Sequence, residues 1–448
     1  MEGLPNELYR RWETVRSEAA SGAWGLWDLK SGSRWTFGEI QAEVDARPPL
    51  KRGSLLCPSG FSVELIFETL RAWRDGAVLC PVERDGDAPA EEAIAGLAPE
   101  ICHLKLTSGT SSGPRMVAFD PGPLAADARK IVTTMGLRRE WPNLGIISMS
   151  HSYGFSNLVL PLILHGIPLA WLGDPLPGAV ANVLENKELR LDGWTLPAVP
   201  AMWRVWHESR AIPRGAIRLA ITAGAPMPVE LERDLFASTG LKVHNFYGSS
   251  ECGGIAYDRT ELPRTDAELV GTAMDDTVLS VTEEGCLSVE SPSVGTGYWE
   301  NGAMIYDRLG GGVFQTSDLA ILSALAGEND AVRLTGRRDD LINVAGRKVS
   351  PARVEAALSK VPGVQCAVVF GIPSEDSVRG DEVVAIVNWA DGSDESSRFL
   401  EAWKGHGEGL AAHERPRHWW FCDELCPDLR GKLSRHAWRQ RYLDRSAD

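Results

Sequence analysis

The sequence lacks an excess of basic residues. Its 46 Lys and Arg are outnumbered by 61 Asp and Glu, which gives a formal net charge of −15. A protein that binds the phosphate backbone of a nucleic acid or an anionic membrane surface needs a basic face. The charge balance therefore predicts neither a nucleic acid nor a membrane as partner. A small anionic ligand could still be held by a few local cations.

The sequence also lacks a long uninterrupted hydrophobic run. Residues 1–20 contain no apolar core segment, so no signal peptide is expected. The most apolar stretch, residues 154–173, is interrupted by Pro161, His165 and Pro168. We interpret this stretch as buried α/β core and expect no membrane insertion.

The eight cysteines lack the spacing of a metal site. No pair has CxxC spacing, and no histidines accompany them at the separations typical of zinc ligands. Scattered cysteines without a secretion signal are typical of reduced thiols. A cytoplasmic location is therefore predicted.

Apolar runs of strand length alternate with helical patterns, and this alternation predicts an α/β fold. A chain of 448 residues is too long for one hydrophobic core. A helical pattern at 62–76 lies between apolar runs at 54–58 and 77–82, and a second helical pattern at 227–240 ends in a glycine. Such alternation implies a mainly parallel sheet covered by helices. Residues 270–322 instead predict a small antiparallel unit, and the α/β pattern returns after residue 340.

The segment 334–348, LTGRRDDLINVAGRK, is the best candidate for a domain boundary. It is charged, punctuated by glycines and placed between two differently patterned regions. We predict an N-terminal domain over 1–336, a hinge at 337–340 and a C-terminal domain over 341–448. Composition alone does not distinguish a functional hinge from a plain linker.

A loop of glycine and hydroxyl residues follows the apolar strand pattern at 101–106. Residues 107–113 read TSGTSSG, and Pro114 and Arg115 follow. These residues disfavour regular structure, because Gly costs backbone entropy and Ser and Thr compete for backbone hydrogen bonds. The loop is not a Walker A motif, which has four residues between its glycines and then Lys. It is either a plain surface loop or a loop that wraps an anion such as phosphate.

Further segments carry polar residues that suit a nucleotide. The loop at 244–252 combines aromatic, glycine and hydroxyl residues with Glu251, so it can stack a base, bond a phosphate and hold a hard cation. Asp318 follows two hydroxyl residues and could accept both hydroxyls of a ribose. Arg337 and Lys432 add positive charge. Each of these residues, considered alone, could equally be a solvated surface charge.

Together and in order, these segments resemble the motifs of the adenylate-forming superfamily of acyl- and aryl-CoA synthetases, luciferases and peptide-synthetase adenylation domains. LTSGTSSGPR resembles the phosphate loop TSGTTGxPK, YGSSE resembles YGxTE, QTSDL resembles TGDL, GRRDDLINVAGRKVSP resembles GRxDDxIKxxGxxIxP, and GKLSR resembles GKxxR. SHSYG and TAGAP resemble the segments beside the carboxylate and the adenine. The resemblance runs from about Gly53 to Arg435.

The resemblance implies a large N-terminal domain of stacked α/β subdomains plus a small β unit, followed by a small mobile α/β C-terminal domain. The region before the phosphate loop is shorter than usual, so the first subdomain is expected to be trimmed. The implied activity is that of an AMP-forming ligase: ATP and Mg²⁺ activate an aryl or fatty acid to an acyl adenylate, pyrophosphate is released, and the acyl group passes to CoA.

Two alternatives accompany this expectation. One is an acyl-AMP ligase that loads the pantetheine of an acyl carrier protein. The other is a catalytically inactive relative that binds a nucleotide or an acyl chain.

The resemblance also assigns roles to matching residues. The β- and γ-phosphates of ATP would be cradled by Thr107, Ser108, Gly109, Thr110, Ser111 and Gly113. The adenine would be bordered by Ala223, Gly224 and Tyr247, with Tyr247 against its face, and Gly248 is also expected to bind the cofactor. The α-phosphate, Mg²⁺ and the ribose would be held by Ser250, Glu251 and Asp318, with Arg337 beside Asp318.

Four more residues have roles tied to the reaction. Lys432 would bridge the acyl carboxylate and the α-phosphate, and His151 would close the carboxylate side of the pocket. Asp339 would be the hinge residue, and Gly346 would line the thiol channel. Three positions depart from the family pattern: Arg115 replaces Lys, Ser250 replaces Thr, and Ser317 replaces the Gly of TGDL.

The motif SHSYGFSN and a set of candidate pocket residues bear on the identity of the acyl group. Amino-acid-activating relatives place an Asp in the motif that here reads SHSYGFSN, and no Asp occurs in it. An acid without an α-ammonium group is therefore expected. Candidate pocket residues are Tyr153, Asn157, Ala223, Gly224, Gly248, Gly253 and Gly254, whose glycines predict room for an aryl or alkyl chain. Trp203 and Trp206 are expected to pack in the core rather than line the pocket.

Overall fold

The computed structural model describes residues 6–107, 115–186, 192–324, 330–374, 380–390, 396–406, 409–427 and 433–445. Its helices are α1 Glu7–Glu18, α2 Phe37–Asp45, α3 Glu64–Asp75, α4 Pro121–Met135, α5 Ser152–Gly154, α6 Leu160–His165, α7 Pro177–Glu185, α8 Pro200–Glu208, α9 Val229–Thr239, α10 Pro351–Leu358, α11 Ser396–His406 and α12 Arg435–Arg445. A π-helical turn over Phe155–Val159 joins α5 to α6.

The first fifteen strands are β1 Trp24–Asp28, β2 Arg34–Thr36, β3 Leu55–Leu56, β4 Val78–Leu79, β5 His103–Thr107, β6 Arg115–Phe119, β7 Asn143–Gly145, β8 Leu169–Trp171, β9 Trp194–Ala198, β10 Ile217–Thr222, β11 Val243–Ser249, β12 Gly253–Tyr257, β13 Leu269–Ala273, β14 Val278–Val281 and β15 Cys286–Glu290. The remaining strands are β16 Gly297–Glu300, β17 Ala303–Ile305, β18 Leu309–Gly310, β19 Val313–Ala324, β20 Asp330–Arg337, β21 Ile342–Val344, β22 Arg347–Val349, β23 Val364–Pro373, β24 Asp381–Trp389 and β25 His418–Phe421.

The chain forms two compact units. The larger unit comprises residues 1–280, 288–316 and 323–332, and the smaller comprises 281–287, 317–322 and 333–448. The smaller unit therefore includes short pieces of β14, β15 and β19 besides the C-terminal part of the chain. The hinge at 337–340 stays a prediction.

Two sheets form the larger unit. In one sheet, β1, β8, β7, β9, β10 and β11 are neighbours in that order and run parallel. β2 pairs antiparallel with β1, and β12 and β13 continue the sheet beyond β11 with antiparallel pairing. The other sheet has the order β17–β16–β6–β5–β4–β3, with β3, β4 and β5 parallel. The predicted mainly parallel α/β fold is confirmed.

Local signals in the sequence account for where several helices end. The helical pattern at 62–76 forms α3, and Gly76 ends it in the left-handed conformation with φ +70°. Gly240 ends α9 in the same way with φ +74°. Glycine adopts this conformation without the steric cost that a Cβ would add. Both helices were predicted from apolar periodicity and a terminal glycine.

The apolar stretch at 154–173 forms α6 and β8 and is almost entirely buried. It is core, as predicted. Among the described helices, none combines the length and apolar character needed to cross a membrane. Trp203 and Trp206 are fully buried and meet edge to face at 5.2 Å between ring centroids, so their predicted core role is confirmed.

The smaller unit is a sheet with helices on both faces. β23 and β24 are antiparallel, and β25 lies parallel to β24. Successive residues of β23 pack in different hydrophobic clusters. Val369 packs in a cluster with Val354 and Phe399, whereas Phe370 packs in a cluster with Ile386. This alternation follows from the two-residue period of a strand, and it places α10 and α11 on one face and α12 on the other.

Candidate active site

Several predicted site residues of the larger unit lie at one edge of its main sheet. β9, β10 and β11 run parallel and are in register at Ala198, Thr222 and Asn245, so their carboxyl ends lie at the same edge. The loop at 223–226 leaves β10 there, and residues 247–249 end β11 before the turn at 250–252. In open parallel sheets, ligands bind outside the carboxyl ends of the strands.

Helix α5 lies at the same edge. The hydroxyl of Tyr153 is within 3.4 Å of the Ala198 carbonyl and 3.2 Å of the Ile221 carbonyl, at the ends of β9 and β10. Burial raises the pKa of Tyr153, so the phenol stays a donor. The hydroxyl of Ser152 donates to the Ser249 carbonyl at 3.5 Å. These contacts bring the SHSYG motif to the YGSSE loop, as the predicted site requires.

His151 lies just before α5 and is half-buried. Its Nε2 forms an ion-pair contact with the carboxylate of Glu83. Glu83 was not identified from the sequence, because a single acid in a loop 68 residues upstream carries no local signal. The contact is an ion pair only while the imidazole is protonated.

Glu251 is oriented by a tyrosine that sequence analysis missed. The hydroxyl of Tyr298 donates to Oε1 of Glu251 at 3.1 Å. The backbone N–H of Gly295 donates to the Glu251 carbonyl at 2.8 Å, and the N–H of Glu251 donates to Ser249 Oγ at 3.2 Å. Burial, together with the charge of Glu251, raises the pKa of Tyr298. Hydrogen bonds therefore fix both the backbone and the carboxylate of Glu251.

Arg115, one of the departures from the family pattern, belongs to the same cluster. Its Nε lies 2.5 Å from Oε1 of Glu300, and its guanidinium lies 5.0 Å from the centroid of the Tyr298 ring. The pairing of β6 with β16, in which Val117 faces Tyr298, produces this arrangement. An Arg can stack on an aromatic ring and pair with a carboxylate at once, whereas a Lys offers only a point charge.

Three glycines of the predicted acyl pocket do not provide open space. A Cβ at Gly248 would lie 2.5 Å from the Gly253 carbonyl oxygen, and one at Gly254 would lie 2.4 Å from the Met274 sulfur. Gly253 has φ +66°, and a Cβ there would lie 2.1 Å from the Asp127 carboxylate. The expectation of room for an acyl chain beside these three glycines is wrong, because neighbouring protein atoms already fill it.

The predicted ribose and hinge residues lie in the smaller unit. Nε of Arg337 lies 3.0 Å from Oδ1 of Asp318, so the two are paired as expected. The hydroxyl of Ser317 donates to Oδ2 of Asp339 at 2.5 Å. The Gly of the family pattern could not make this bond.

Two further features surround the hinge segment in the smaller unit. Arg435 forms an ion pair with Asp340. Ala345 and Gly346, with φ +51° and +81°, form the two-residue turn between β21 and β22. Positive φ at both positions is typical of a type I′ hairpin, so Gly346 is explained locally by its turn.

Some predicted residues lie outside the described part of the chain: Ser108, Gly109, Thr110, Ser111, Gly113 and Lys432. Thr107 is described, and its hydroxyl donates to the Arg115 carbonyl at 3.2 Å. Thr107 and Arg115 are also partners in the β5–β6 register. The roles given to all predicted site residues stay predictions.

Comparison with known proteins identifies related sequences. A family model described as AMP-binding enzyme matches residues 64–299, and one described as AMP-binding enzyme C-terminal domain matches residues 353–432. A feruloyl-CoA synthase of Amycolatopsis sp is 26% identical over 397 residues, which cover 84% of this chain and 77% of that protein. The long-chain-fatty-acid–CoA ligase FadD13 of Mycobacterium tuberculosis is 24% identical over 371 residues, covering 80% of this chain and 71% of the ligase.

The fold has also been seen in solved structures. The crystal structure of ATP-bound MatB from Rhodopseudomonas palustris matches with a TM-score of 0.82 and 19% identity, over 97% of this chain and 99% of that one. The predicted resemblance, the two-domain α/β fold and the ligase class are confirmed. The two sequence relatives are named as a CoA synthase and a CoA ligase, the class of enzyme that the sequence motifs predict.

Proposed function

The chain belongs to the AMP-binding enzyme family, and we propose that it is an AMP-forming acid–CoA ligase. Its carboxylic acid substrate is activated by ATP and then transferred to the thiol of CoA. The observation that carries the proposal is the convergence of the 151–153 segment, the loop after β10 and the Glu251 loop at one sheet edge.

The chemistry explains why such a site is needed. A carboxylate oxygen attacks the α-phosphorus of ATP, a P–O bond breaks, and pyrophosphate leaves. The thiol sulfur of CoA then attacks the acyl carbon, and AMP leaves. The first step brings two anions together, so cations and backbone N–H groups must offset their charge. Fixed positioning of two reactants can contribute about 7–11 kcal/mol in favourable cases.

Glu251 is the residue proposed to hold Mg²⁺. Within the described ranges, no group of three or more His, Cys, Asp or Glu residues could hold a metal ion. Mg²⁺ fits a single carboxylate because it keeps several waters and takes other ligands from substrate phosphates. The hydrogen bond from Tyr298 leaves Glu251 with further acceptor positions, since a carboxylate can accept about four bonds. When bound, the ion would neutralise phosphate charge.

The proposed acid carries an aryl or alkyl chain and no α-ammonium group. Support comes from the absence of Asp in SHSYGFSN and from relatives named for feruloyl and long-chain fatty acids. The positions that side chains at Gly248 and Gly254 would take are already filled, so the lack of a side chain there adds no room for this chain.

The proposed location is the cytoplasm. All eight cysteines are free, with Cys80, Cys102, Cys252 and Cys286 fully or nearly buried. Free thiols persist in reducing compartments, where ATP is also abundant.

Carboxylate-dependent exchange of labelled pyrophosphate into ATP tests the proposal. The assay should use a panel of aryl, short alkyl and long alkyl acids, followed by thioester formation with CoA. Exchange with at least one acid is expected. Glu251→Gln should lower exchange at least tenfold, because an amide binds a hard cation poorly. Glu261→Gln, at an exposed acid of the same unit, is the matched control.

Two results would contradict the proposal. Absence of exchange with every acid would support an inactive nucleotide-binding relative instead. Exchange in Glu251→Gln equal to that of Glu261→Gln would remove Glu251 from the metal role.

A further inference from the structure

Lys105 is a buried lysine in the middle of β5, between Leu104 and Leu106. It lies on β5, two residues before Thr107, and its side chain is only 5% exposed. Successive residues of a strand point to opposite faces. Leu104 packs in the core on one face, whereas the His103 ring lies 4.6 Å from the Phe155 ring on the other. Lys105 shares the face of His103, toward α5 and the π-turn.

The ammonium of Lys105 contacts the predicted nucleotide site through Ser152. Its Nζ donates to Ser152 Oγ at 3.2 Å, and Ser152 in turn donates to the Ser249 carbonyl at 3.5 Å. A serine hydroxyl can accept one bond and donate another at the same time. A chain of two hydrogen bonds therefore runs from the strand that leads into residues 107–113 to the loop that carries Glu251.

Burial of the Lys105 ammonium destabilises the folded protein, so stability alone does not explain why a lysine is present at this position. A buried ammonium loses its hydration, and burial lowers the pKa of Lys105. Two nearby acids, Asp127 and Glu251, oppose this shift, whereas Lys130 adds to it. Within the described part of the chain, its direct contacts are one hydroxyl and the Phe119 ring, with Nζ 4.6 Å from the ring centroid. An apolar side chain of similar length would fill the site at lower cost.

We propose that Lys105 is a positioning residue of the nucleotide site, which fixes Ser152 and, through it, the Ser249–Glu251 loop for binding of ATP. The inference rests on the proposed function. Lys105 acts through Ser152 rather than by contact with the reacting atoms. Groups that orient residues around a metal or ligand typically account for 10–100-fold in affinity or activity.

A double-mutant cycle tests the proposal. The variants are Lys105→Met, Ser152→Ala and both together, and the measurements are the Kd of ATP with Mg²⁺ by calorimetry and the thermal unfolding midpoint. We expect Kd to rise about tenfold in each single variant and no further in the double variant, because both remove the same chain of bonds. The unfolding midpoint of Lys105→Met should not fall.

Two controls test whether the effect comes from the hydrogen bond to Ser152, from the positive charge of Lys105, or from the loss of any buried lysine. Lys105→Gln keeps a donor but loses the charge, so parental ATP affinity in this variant would show that the hydrogen bond rather than the charge fixes Ser152. Lys105→Leu replaces Lys105→Met in the cycle if Lys105→Met does not fold. Lys130→Met removes another buried lysine, whose Nζ donates to the Gly254 carbonyl and Ser293 Oγ. Its effect should add to that of Ser152→Ala, since the two share no contact.

Each other outcome has a defined meaning. Parental ATP affinity in Lys105→Met, or additive losses in the double variant, would overturn the positioning role while leaving the proposed function intact. A loss of affinity matched by a lowered unfolding midpoint would also overturn it, because the lysine would then act through stability. Failure of the parent protein to bind ATP would overturn the proposed function, and this inference with it.

Discussion

The hydroxyl of Tyr298 donates a hydrogen bond of 3.1 Å to Oε1 of Glu251, 47 positions earlier in the chain. Arg115 lies over the same tyrosine ring and pairs with Glu300. The acid proposed to hold the metal ion is thus oriented by a phenol that is itself fixed by an arginine. Partners of this kind set the geometry of metal-binding residues and tune their affinity.

Tyr298→Phe should lower kcat/KM for ATP in pyrophosphate exchange by about tenfold, because it removes the donor but keeps the ring. The loss should appear mainly as a higher Mg²⁺ requirement, measured by titrating Mg²⁺ at fixed ATP. Tyr306→Phe, at an exposed tyrosine of the same unit, should have no effect. An unchanged Mg²⁺ dependence in Tyr298→Phe would exclude an orienting role.

Ser317→Gly should make the predicted hinge more accessible to trypsin. The variant restores the residue of the family pattern and removes the hydrogen bond to Asp339. Trypsin cleaves after Arg337 and Arg338, and exposed segments with few restraints are preferred cleavage sites. We expect cleavage there to be about 5-fold faster, since loss of a hydrogen bond at an exposed site costs roughly 1 kcal/mol.

Ser317→Ala is the control for this experiment. It removes the hydroxyl but adds no backbone flexibility. If only the glycine variant is cleaved faster, the cause is backbone freedom, and the hydrogen bond does not restrain the hinge.

Lys432→Ala should separate the two half-reactions. The sequence places Lys432 in the C-terminal family domain, whereas Glu251 lies in the N-terminal one. Its charge is proposed to offset charge that develops as the carboxylate attacks ATP, and loss of one such group typically costs about 10²–10³ in rate. Formation of the adenylate should fall by this amount, while a supplied acyl adenylate should still react with CoA at nearly the parental rate.

The reverse bias is expected for Asp339→Pro, which restricts rotation at the predicted hinge. This variant should keep adenylation and lose thioester formation. Both half-reactions should be assayed on both variants. Equal slowing of the two steps by Lys432→Ala would mean that the lysine acts through stability.

Acid should destabilise the protein partly through His165, at the end of α6. Burial, together with Arg11, Arg129 and Arg139, lowers the pKa of His165 from 6.5 to about 4. Between these values the unfolded chain binds a proton that the folded chain does not. Stability therefore falls as the pH drops from about 6.5 to 4, and this contribution stops changing below pH 4.

His165→Asn should weaken this pH dependence. Thermal unfolding midpoints, measured from pH 7 to pH 4, should fall less in the variant than in the parent protein. His436→Asn, at an exposed histidine, is the control. Parallel curves for parent and His165→Asn would show that His165 titrates alike in both states.

Local signals determined much of the fold in advance. The helices ending at Gly76 and Gly240, the parallel sheet and the buried stretch at 154–173 were all predicted. Periodicity, caps and turn residues act between neighbours in the chain, so the sequence displays them directly. The order of the motifs likewise identified the family, because it needs no knowledge of contacts.

The contacts that hold the site residues in place could be identified only from the tertiary structure. The burial of Lys105, the bond from Tyr298 to Glu251 and the pairing of His151 with Glu83 join residues 47 or more positions apart. Such contacts arise from strand pairing and side-chain packing, which leave no periodic mark on the sequence. The same cause overturned the expectation of open space at Gly248 and Gly254. Whether the room beside a glycine stays empty depends on which atoms the fold packs against it. Here the Gly253 carbonyl oxygen packs against Gly248, and the Met274 sulfur packs against Gly254.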